Sequence, residues 1–108
     1  MAKFPLPPGS TIGVLGGGQL GRMMALAAAR LGFDTVVLDP SPEACANRVA
    51  TRAITGAYDN DDALQSLAYA ADVVTFEFEN VPAKVVERLQ GLKCEVAPGP
   101  LALATAQD

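Results

Sequence analysis

Three consecutive glycines stand where a strand-like apolar run meets a helical pattern, and this stretch could bind a ligand. Residues 16–23 read Gly-Gly-Gly-Gln-Leu-Gly-Arg-Met, so Gly16, Gly18 and Gly21 have the spacing G-x-G-x-x-G. In a strand–turn–helix unit these glycines allow the tight turn, the approach of a ligand to the backbone and close helix packing. The helix start offers free N–H groups to an anion or a polar ligand edge. The alternative is that the glycines only permit a close strand–helix connection.

Gln19 follows the three glycines and stands at the start of the predicted helix. Its amide both donates and accepts hydrogen bonds, which suits a sugar hydroxyl or the edge of a heterocycle. The competing interpretation is a solvated surface glutamine, which is the usual environment of this residue type.

A second candidate group lies in residues 75–80, which read Thr-Phe-Glu-Phe-Glu-Asn. Because Glu77 and Glu79 alternate along a strand, both carboxylates should point to the same face. Paired carboxylates there could bind hydroxyls, an amine or a metal. Alternatively, they form a polar strand end that is solvated or paired with Lys84 or Arg88.

Asp39 ends another apolar run, 18 residues after Gly21. A nicotinamide-binding domain keeps its ribose-binding acid at this place. The alternative is that Asp39 starts a turn, since aspartate before proline favours turns.

Composition restricts the class of protein. The chain has 108 residues, of which 50% are hydrophobic. Its net charge is −4 and it has no cluster of Lys and Arg. These charge properties argue against nucleic acid and anionic membrane as partners. It has no histidine, the commonest general base. Cys45 and Cys94 are far apart and fit reduced thiols. No segment has the length of a signal peptide core or a membrane span, so we expect a cytoplasmic protein.

Strand-like runs alternate with helical patterns along the chain, which predicts an α/β fold. We expect strands at 11–15, 34–39, 52–55, 72–78 and 93–96. We expect helices at 18–31, 42–47, 61–71 and 101–107. A further helix should be capped by Asn80, have Pro82 in its first turn and end at Gly91. The alternation is typical of a parallel, doubly wound, Rossmann-like sheet flanked by helices. The expected strand order is 3-2-1-4-5, with a ligand crevice between strands one and four.

Local patterns predict how some of these elements are placed. Gly32 should end the first helix in a left-handed conformation, and Ser41 should cap a short helix that has Pro42 in its first position. Helical spacing predicts that one face of the first helix lies on the sheet, namely Leu20, Met23, Met24, Ala27 and Leu31.

The sequence divides into an extended lead-in at 1–10, which holds three prolines, and one domain at 11–108. The last predicted helix begins only a few residues before the end. We therefore expect the chain to be a fragment of a longer enzyme.

Four motifs occur together in this order: Gly-Gly-Gly-Gln-Leu-Gly-Arg-Met at 16–23, Leu-Asp-Pro at 38–40, Thr-Phe-Glu-Phe-Glu-Asn-Val-Pro at 75–82 and Ala-Gln-Asp at 106–108. Together they resemble the N-terminal, pre-ATP-grasp domain of the N5-carboxyaminoimidazole ribonucleotide synthases, the phosphoribosylaminoimidazole carboxylase ATPase subunits of the ATP-grasp superfamily. The resemblance extends over 11–108. A related ATP-grasp enzyme, the formate-dependent glycinamide ribonucleotide transformylase, has a similar first domain, but Gln19 and the two glutamates favour the synthases.

The resemblance implies an ATP-dependent ligase of purine biosynthesis. Such enzymes join 5-aminoimidazole ribonucleotide, bicarbonate and ATP to give N5-carboxyaminoimidazole ribonucleotide, ADP and phosphate, with bicarbonate activated as carboxyphosphate. ATP and Mg²⁺ then bind in the ATP-grasp and C-terminal domains, outside this chain, which alone is inactive and holds no catalytic residue. The complete enzyme is expected to be a homodimer.

The three consecutive glycines at 16–18 are called the glycine turn below. The resemblance also assigns a role to part of the glycine turn and to the glutamates. It implies that this domain forms one wall of the ribonucleotide pocket, with contacts from Gly17, Gly18, Gln19, Leu20 and Glu77, and with Glu79 as a further candidate. Asp39 then loses its nicotinamide role. Two alternatives stay open: a dinucleotide-binding domain of an oxidoreductase that uses Asp39, and an α/β fold with only an interaction role.

Overall fold

The structure, a computed structural model, describes residues 7–77 and 82–97. Its parallel sheet has five strands in the order β3-β2-β1-β4-β5, which confirms the predicted order. The strands are β1 (Thr11–Leu15), β2 (Asp34–Asp39), β3 (Arg52–Thr55), β4 (Val73–Phe76) and β5 (Glu95–Val96).

Helices cover both faces of this sheet. They are α1 (Gln19–Arg30), α2 (Asp61–Ala70) and α3 (Ala83–Gly91), and a 3-10 helix spans Cys45–Arg48. One apolar core lies between the sheet and α2 and α3, and the other lies on the α1 face. No helix in 7–77 or 82–97 is long and apolar enough to cross a membrane.

The strand register brings Asp39 and Glu77 to one level at the carboxyl edge of the sheet. Leu15 of β1 pairs with Leu38 of β2 and with Phe76 of β4, and all three side chains belong to the core beneath α2 and α3. Because successive strand residues face opposite sides, Asp39 at the end of β2 and Glu77 directly after β4 face α1. They therefore flank the turn that leads from β1 into α1.

The predicted sheet-facing side of α1 is wrong except at Met24, which packs against the core on the α1 face. Leu20, Met23 and Leu31 are 42%, 58% and 55% exposed, Ala27 is exposed and Met24 is half-buried. The buried residues of α1 are small instead, namely Gly21, Ala25 and Ala28. A Cβ at Gly21 would lie 2.4 Å from the carbonyl oxygen of Gly16. The start of the helix thus lies too close to the backbone that follows β1 to leave room for a large side chain, and this approach selects the small-residue face.

The short helix after β2 also differs from the prediction. It begins at Cys45 rather than Pro42, and Ser41 does not cap it. Ser41 Oγ accepts the N–H of Glu43 at 3.1 Å, a two-residue spacing that closes a turn instead of a helix. The N–H of Ala46 donates to the carbonyl oxygen of Gly17 at 2.9 Å, which ties the 3-10 helix to the glycine turn.

The structure defines the ends of several helices and strands more precisely than the sequence did. Gly32 has φ +87°, which confirms its left-handed conformation. Pro82 is the N-cap of α3 rather than a residue of its first turn, because its ψ of 134° is not helical. Lys93 has φ +62°, so β5 starts after it, at Glu95.

The described part of the predicted lead-in is a turn and not an extended segment. The N–H of Ser10 donates to the carbonyl oxygen of Pro7 at 3.2 Å, and the N–H of Gly9 donates to that of Gly32 at 2.9 Å. The predicted Asn80 cap and the last predicted helix, 101–107, lie outside the described residues.

Candidate functional site

The glycine turn connects β1 to α1 at the centre of the sheet's carboxyl edge. Gly16 has φ +107°, a conformation that L side chains rarely adopt, and its N–H donates to the carbonyl oxygen of Leu38 at 2.9 Å. Gly18 is extended and precedes the first residue of α1, Gln19. The turn therefore places the start of α1 directly over the end of β1.

Glu77 lies against this turn from the β4 side. Its Oε2 accepts the N–H of Gly21 at 2.8 Å. A Cβ at Gly18 would lie 2.8 Å from both carboxylate oxygens, so only glycine leaves room for the carboxylate there. A helix N-terminus attracts negative charge. The chain itself thus supplies the anion at the start of α1.

Asp39 holds the turn from the β2 side. Its Oδ2 accepts the N–H of Gly17 at 2.8 Å and the hydroxyl of Tyr58 at 3.1 Å, and its Oδ1 accepts the N–H of Ser41 at 2.8 Å. The bond to Ser41 is the turn contact that the sequence suggested. The bonds to Gly17 and Tyr58 were missed, because these partners are 22 and 19 residues away in the sequence.

Some polar groups of the turn and of the start of α1 have no partner in the described part of the chain. The N–H groups of Gly18, Gln19 and Leu20 have no backbone acceptor there, and Glu77 Oε1 has no donor. Gln19 is exposed, and its Oε1 lies 3.6 Å from Cys45 Sγ. Donors and acceptors that could reach a ligand thus meet at Gly18–Leu20 and Glu77, whereas Glu79 lies outside the described residues.

The two carboxylates make this edge of the sheet electronegative. The pKa of Tyr58 is raised to about 12, mostly by burial and in addition by the negative charge of Asp39, the hydrogen bond to Asp39 and the negative charge of Glu77. An approaching phosphate would meet two like charges, while hydroxyl or amine donors would be attracted. No three metal-ligating side chains cluster in 7–77 or 82–97. The described residues do not fit ATP with its metal.

The proposed pairing of the glutamates with Arg88 does not apply to Glu77. Arg88 forms a salt bridge with Asp61, which links α3 to α2 on the opposite face of the sheet. Glu77 accepts its hydrogen bond from the backbone instead.

Comparison with known proteins assigns the family. The model of the ribonucleotide synthetase preATP-grasp domain matches residues 9–107. The chain belongs to this family. The fold built on the five-stranded parallel sheet is therefore that of a preATP-grasp domain, which agrees with the predicted fold class.

Several proteins similar to this preATP-grasp domain are named N5-carboxyaminoimidazole or N5-carboxyaminoimidazole ribonucleotide synthases or synthetases. N5-carboxyaminoimidazole ribonucleotide synthase of Brucella melitensis is 52% identical over the whole chain, which spans 30% of that protein. The Staphylococcus aureus N5-carboxyaminoimidazole synthetase, solved with ADP, is 42% identical with a TM-score of 0.81, covering 94% of this chain and 27% of that one. An Aspergillus clavatus synthase, solved with ADP and the aminoimidazole ribonucleotide, is 34% identical with a TM-score of 0.73, covering 90% and 26%.

Gly18→Ala should disturb the site while it spares the fold. The added Cβ would displace the Glu77 carboxylate, which is the end of a flexible side chain, so we expect a loss of less than about 1 kcal/mol in unfolding free energy. The N–H resonance of Gly21 should shift as its bond to Glu77 weakens. Urea denaturation and a ¹H–¹⁵N spectrum measure both effects, and an unmoved Gly21 resonance would contradict the geometry.

Proposed function

We propose that this chain is the substrate-binding N-terminal domain of an ATP-dependent ligase. The ligase carboxylates 5-aminoimidazole ribonucleotide with bicarbonate to N5-carboxyaminoimidazole ribonucleotide. The observation that carries the proposal is that the Glu77 carboxylate lies against the glycine turn. Its negative charge favours a ligand that presents hydrogen-bond donors over a pyrophosphate. The shared name of relatives that are 34–52% identical to the chain supports the same ligase.

In this proposal the chain binds and orients the ribonucleotide. Glu77 Oε1 accepts a hydrogen bond from a hydroxyl or from the amine that is carboxylated. The N–H groups of Gly18 and Leu20 and the Gln19 amide bind the sugar or the ring, and Gly17 brings the backbone close. Glu79, two residues beyond Glu77, is a further candidate contact. No residue of the chain is assigned a proton transfer.

Activation of bicarbonate is the chemistry that ATP supplies. Because the described residues do not fit ATP with its metal, we propose that ATP and Mg²⁺ bind in the ATP-grasp and C-terminal domains, beyond residues 11–108. The chain spans 30% or less of the length of the relatives described above. We further propose, from the family resemblance, that the complete ligase is a cytoplasmic homodimer.

The test of this proposal is a steady-state assay of the complete ligase, in which this chain precedes the remaining domains of its relatives. ADP release with Mg·ATP should require both the ribonucleotide and bicarbonate. The 108-residue chain alone should give no turnover above a buffer blank. ADP release by the complete ligase that is independent of the ribonucleotide would contradict the proposed substrate.

The alternative function, dinucleotide binding, makes the opposite prediction. We expect no saturable NADH binding at micromolar concentration, because Asp39 and Glu77 already accept the N–H groups of Gly17 and Gly21. Titration of NADH fluorescence with the chain measures this. Saturable binding in that range would return Asp39 to the role of a ribose-binding acid.

A further inference from the structure

Three connections of the fold meet on one carboxylate, that of Asp39. The Gly17 N–H comes from the β1–α1 turn, the Ser41 N–H from the segment after β2, and the Tyr58 hydroxyl from the β3–α2 connection. Both oxygens of Asp39 accept protein donors, so the side chain is engaged in holding loops together.

The Gly17 peptide is held at both of its ends. Asp39 accepts its N–H, and its carbonyl oxygen accepts the N–H of Ala46 at 2.9 Å and lies 3.6 Å from Cys45 Sγ. A Cβ at Gly17 would lie 2.9 Å from Ala44 Cβ. Any change in the bond to Asp39 must therefore move a peptide that is packed on its other sides.

The next link leads to the ligand-facing residues. Gly17 is two residues before Gln19, and Cys45 Sγ lies 3.6 Å from both the carbonyl oxygen of Gly17 and Oε1 of Gln19. Tyr58 packs against the core beneath α2 and α3, which anchors the phenol that donates to Asp39. The core is thus connected to Gln19 through Tyr58, Asp39 and Gly17.

We propose that Asp39 and Tyr58 are positioning residues, which fix the glycine turn and thereby place Gln19 and the N–H groups of Gly18 and Leu20 toward the ribonucleotide. This inference rests on the proposed ligase for its substrate, but the mechanical link stands on the structure alone. Asp39 acts through Gly17 and touches no reacting atom.

Asp39→Asn tests the link because asparagine cannot accept all three donors. Its NH₂ group must face either the N–H of Ser41 or the N–H of Gly17. Either arrangement releases one of the two segments that flank Cys45, so the surroundings of Cys45 should open more often. Tyr58→Phe removes one donor and should act in the same direction with a smaller effect. Asp34→Asn, at the other end of β2, and Tyr69→Phe, on the exposed face of α2, are matched controls.

The first readout is the alkylation rate of Cys45 by iodoacetamide in the complete ligase, followed by peptide mass spectrometry. Cys45 is half-buried against the turn. Cys94 is buried in the core, and burial raises the pKa of its thiol to about 11, so its labelling reports global unfolding. We expect Cys45 to react at least threefold faster in Asp39→Asn, with Cys94 and both controls unchanged.

The second readout is kinetic. Asp39→Asn should raise the KM for the ribonucleotide by roughly three- to tenfold and leave the KM for ATP unchanged. Equal Cys45 rates in the wild type and in Asp39→Asn, or a Cys45 gain that Cys94 shares, would overturn the positioning role. A wild-type ligase that does not use the ribonucleotide would overturn the proposed function instead, while the labelling result would still decide the link.

Discussion

Replacing Glu77 with glutamine should raise the KM of the complete ligase for 5-aminoimidazole ribonucleotide by about ten- to hundredfold, with the KM for ATP unchanged. Loss of one hydrogen bond to a charged group is worth about 1.5–3 kcal/mol. Glutamine still offers an amide oxygen to the N–H of Gly21, so the turn should keep its shape while the negative charge is lost. Steady-state kinetics in which each substrate is varied separately measures the effect.

Glu87→Gln is the matched control, because Glu87 is an exposed carboxylate on α3. It should leave both KM values as they are, and Glu79→Gln should have a smaller effect than Glu77→Gln. Circular dichroism must show a native fold for all three variants. A well-folded Glu77→Gln ligase with an unchanged ribonucleotide KM and rate would make Glu77 a polar strand end without a ligand.

Gly21→Ala should cost roughly 3 kcal/mol or more in the free energy of unfolding of the chain. The added Cβ would lie 2.4 Å from the backbone carbonyl oxygen of Gly16 and 3.1 Å from Glu77 Oε2. A backbone carbonyl cannot rotate away as a side chain does, so α1 must move away from the turn that follows β1. A loss of this size is a large share of the 5–15 kcal/mol that stabilises an ordinary domain.

Gly91→Ala provides the comparison for this second variant. Gly91 also lies in a helix, but nothing is within 4 Å of a Cβ built there. Alanine should therefore be neutral or stabilise by about 0.5 kcal/mol. Urea denaturation of both variants measures the difference, and equal stabilities would show that α1 does not approach β1 as closely as the structure indicates.

The sheet was predictable because its signals are local. Strand-like runs of four to seven residues, separated by helical patterns, predicted five parallel strands in their observed order. The position of Glu77 beside the glycine turn followed from the same topology, because the carboxyl ends of neighbouring parallel strands meet at one edge.

The side of α1 that meets the sheet was not predictable from hydrophobicity. Leu20 and Met23 form the more apolar face, yet the close approach at Gly21 places Ala25 and Ala28 on the sheet. That approach depends on the distance between two backbones. A pattern of side-chain polarity contains no information about it.

The role of Asp39 depends on contacts that are distant in sequence. Its partners Gly17 and Tyr58 are 22 and 19 residues away, on two different connections. The motif around Asp39 predicted either a ribose contact or a local turn. Only the folded arrangement showed that the carboxylate closes on the glycine turn.

A crystal structure of the complete ligase with 5-aminoimidazole ribonucleotide bound is the most direct test of the account. We predict that a hydroxyl or the amine of the ribonucleotide lies within hydrogen-bond distance of Glu77 Oε1. We also predict that its ring or sugar contacts the backbone at Gly18–Leu20, while Glu77 Oε2 keeps the N–H of Gly21. A ribonucleotide bound away from the glycine turn, or with its phosphate on the N–H groups of that turn, would contradict the account.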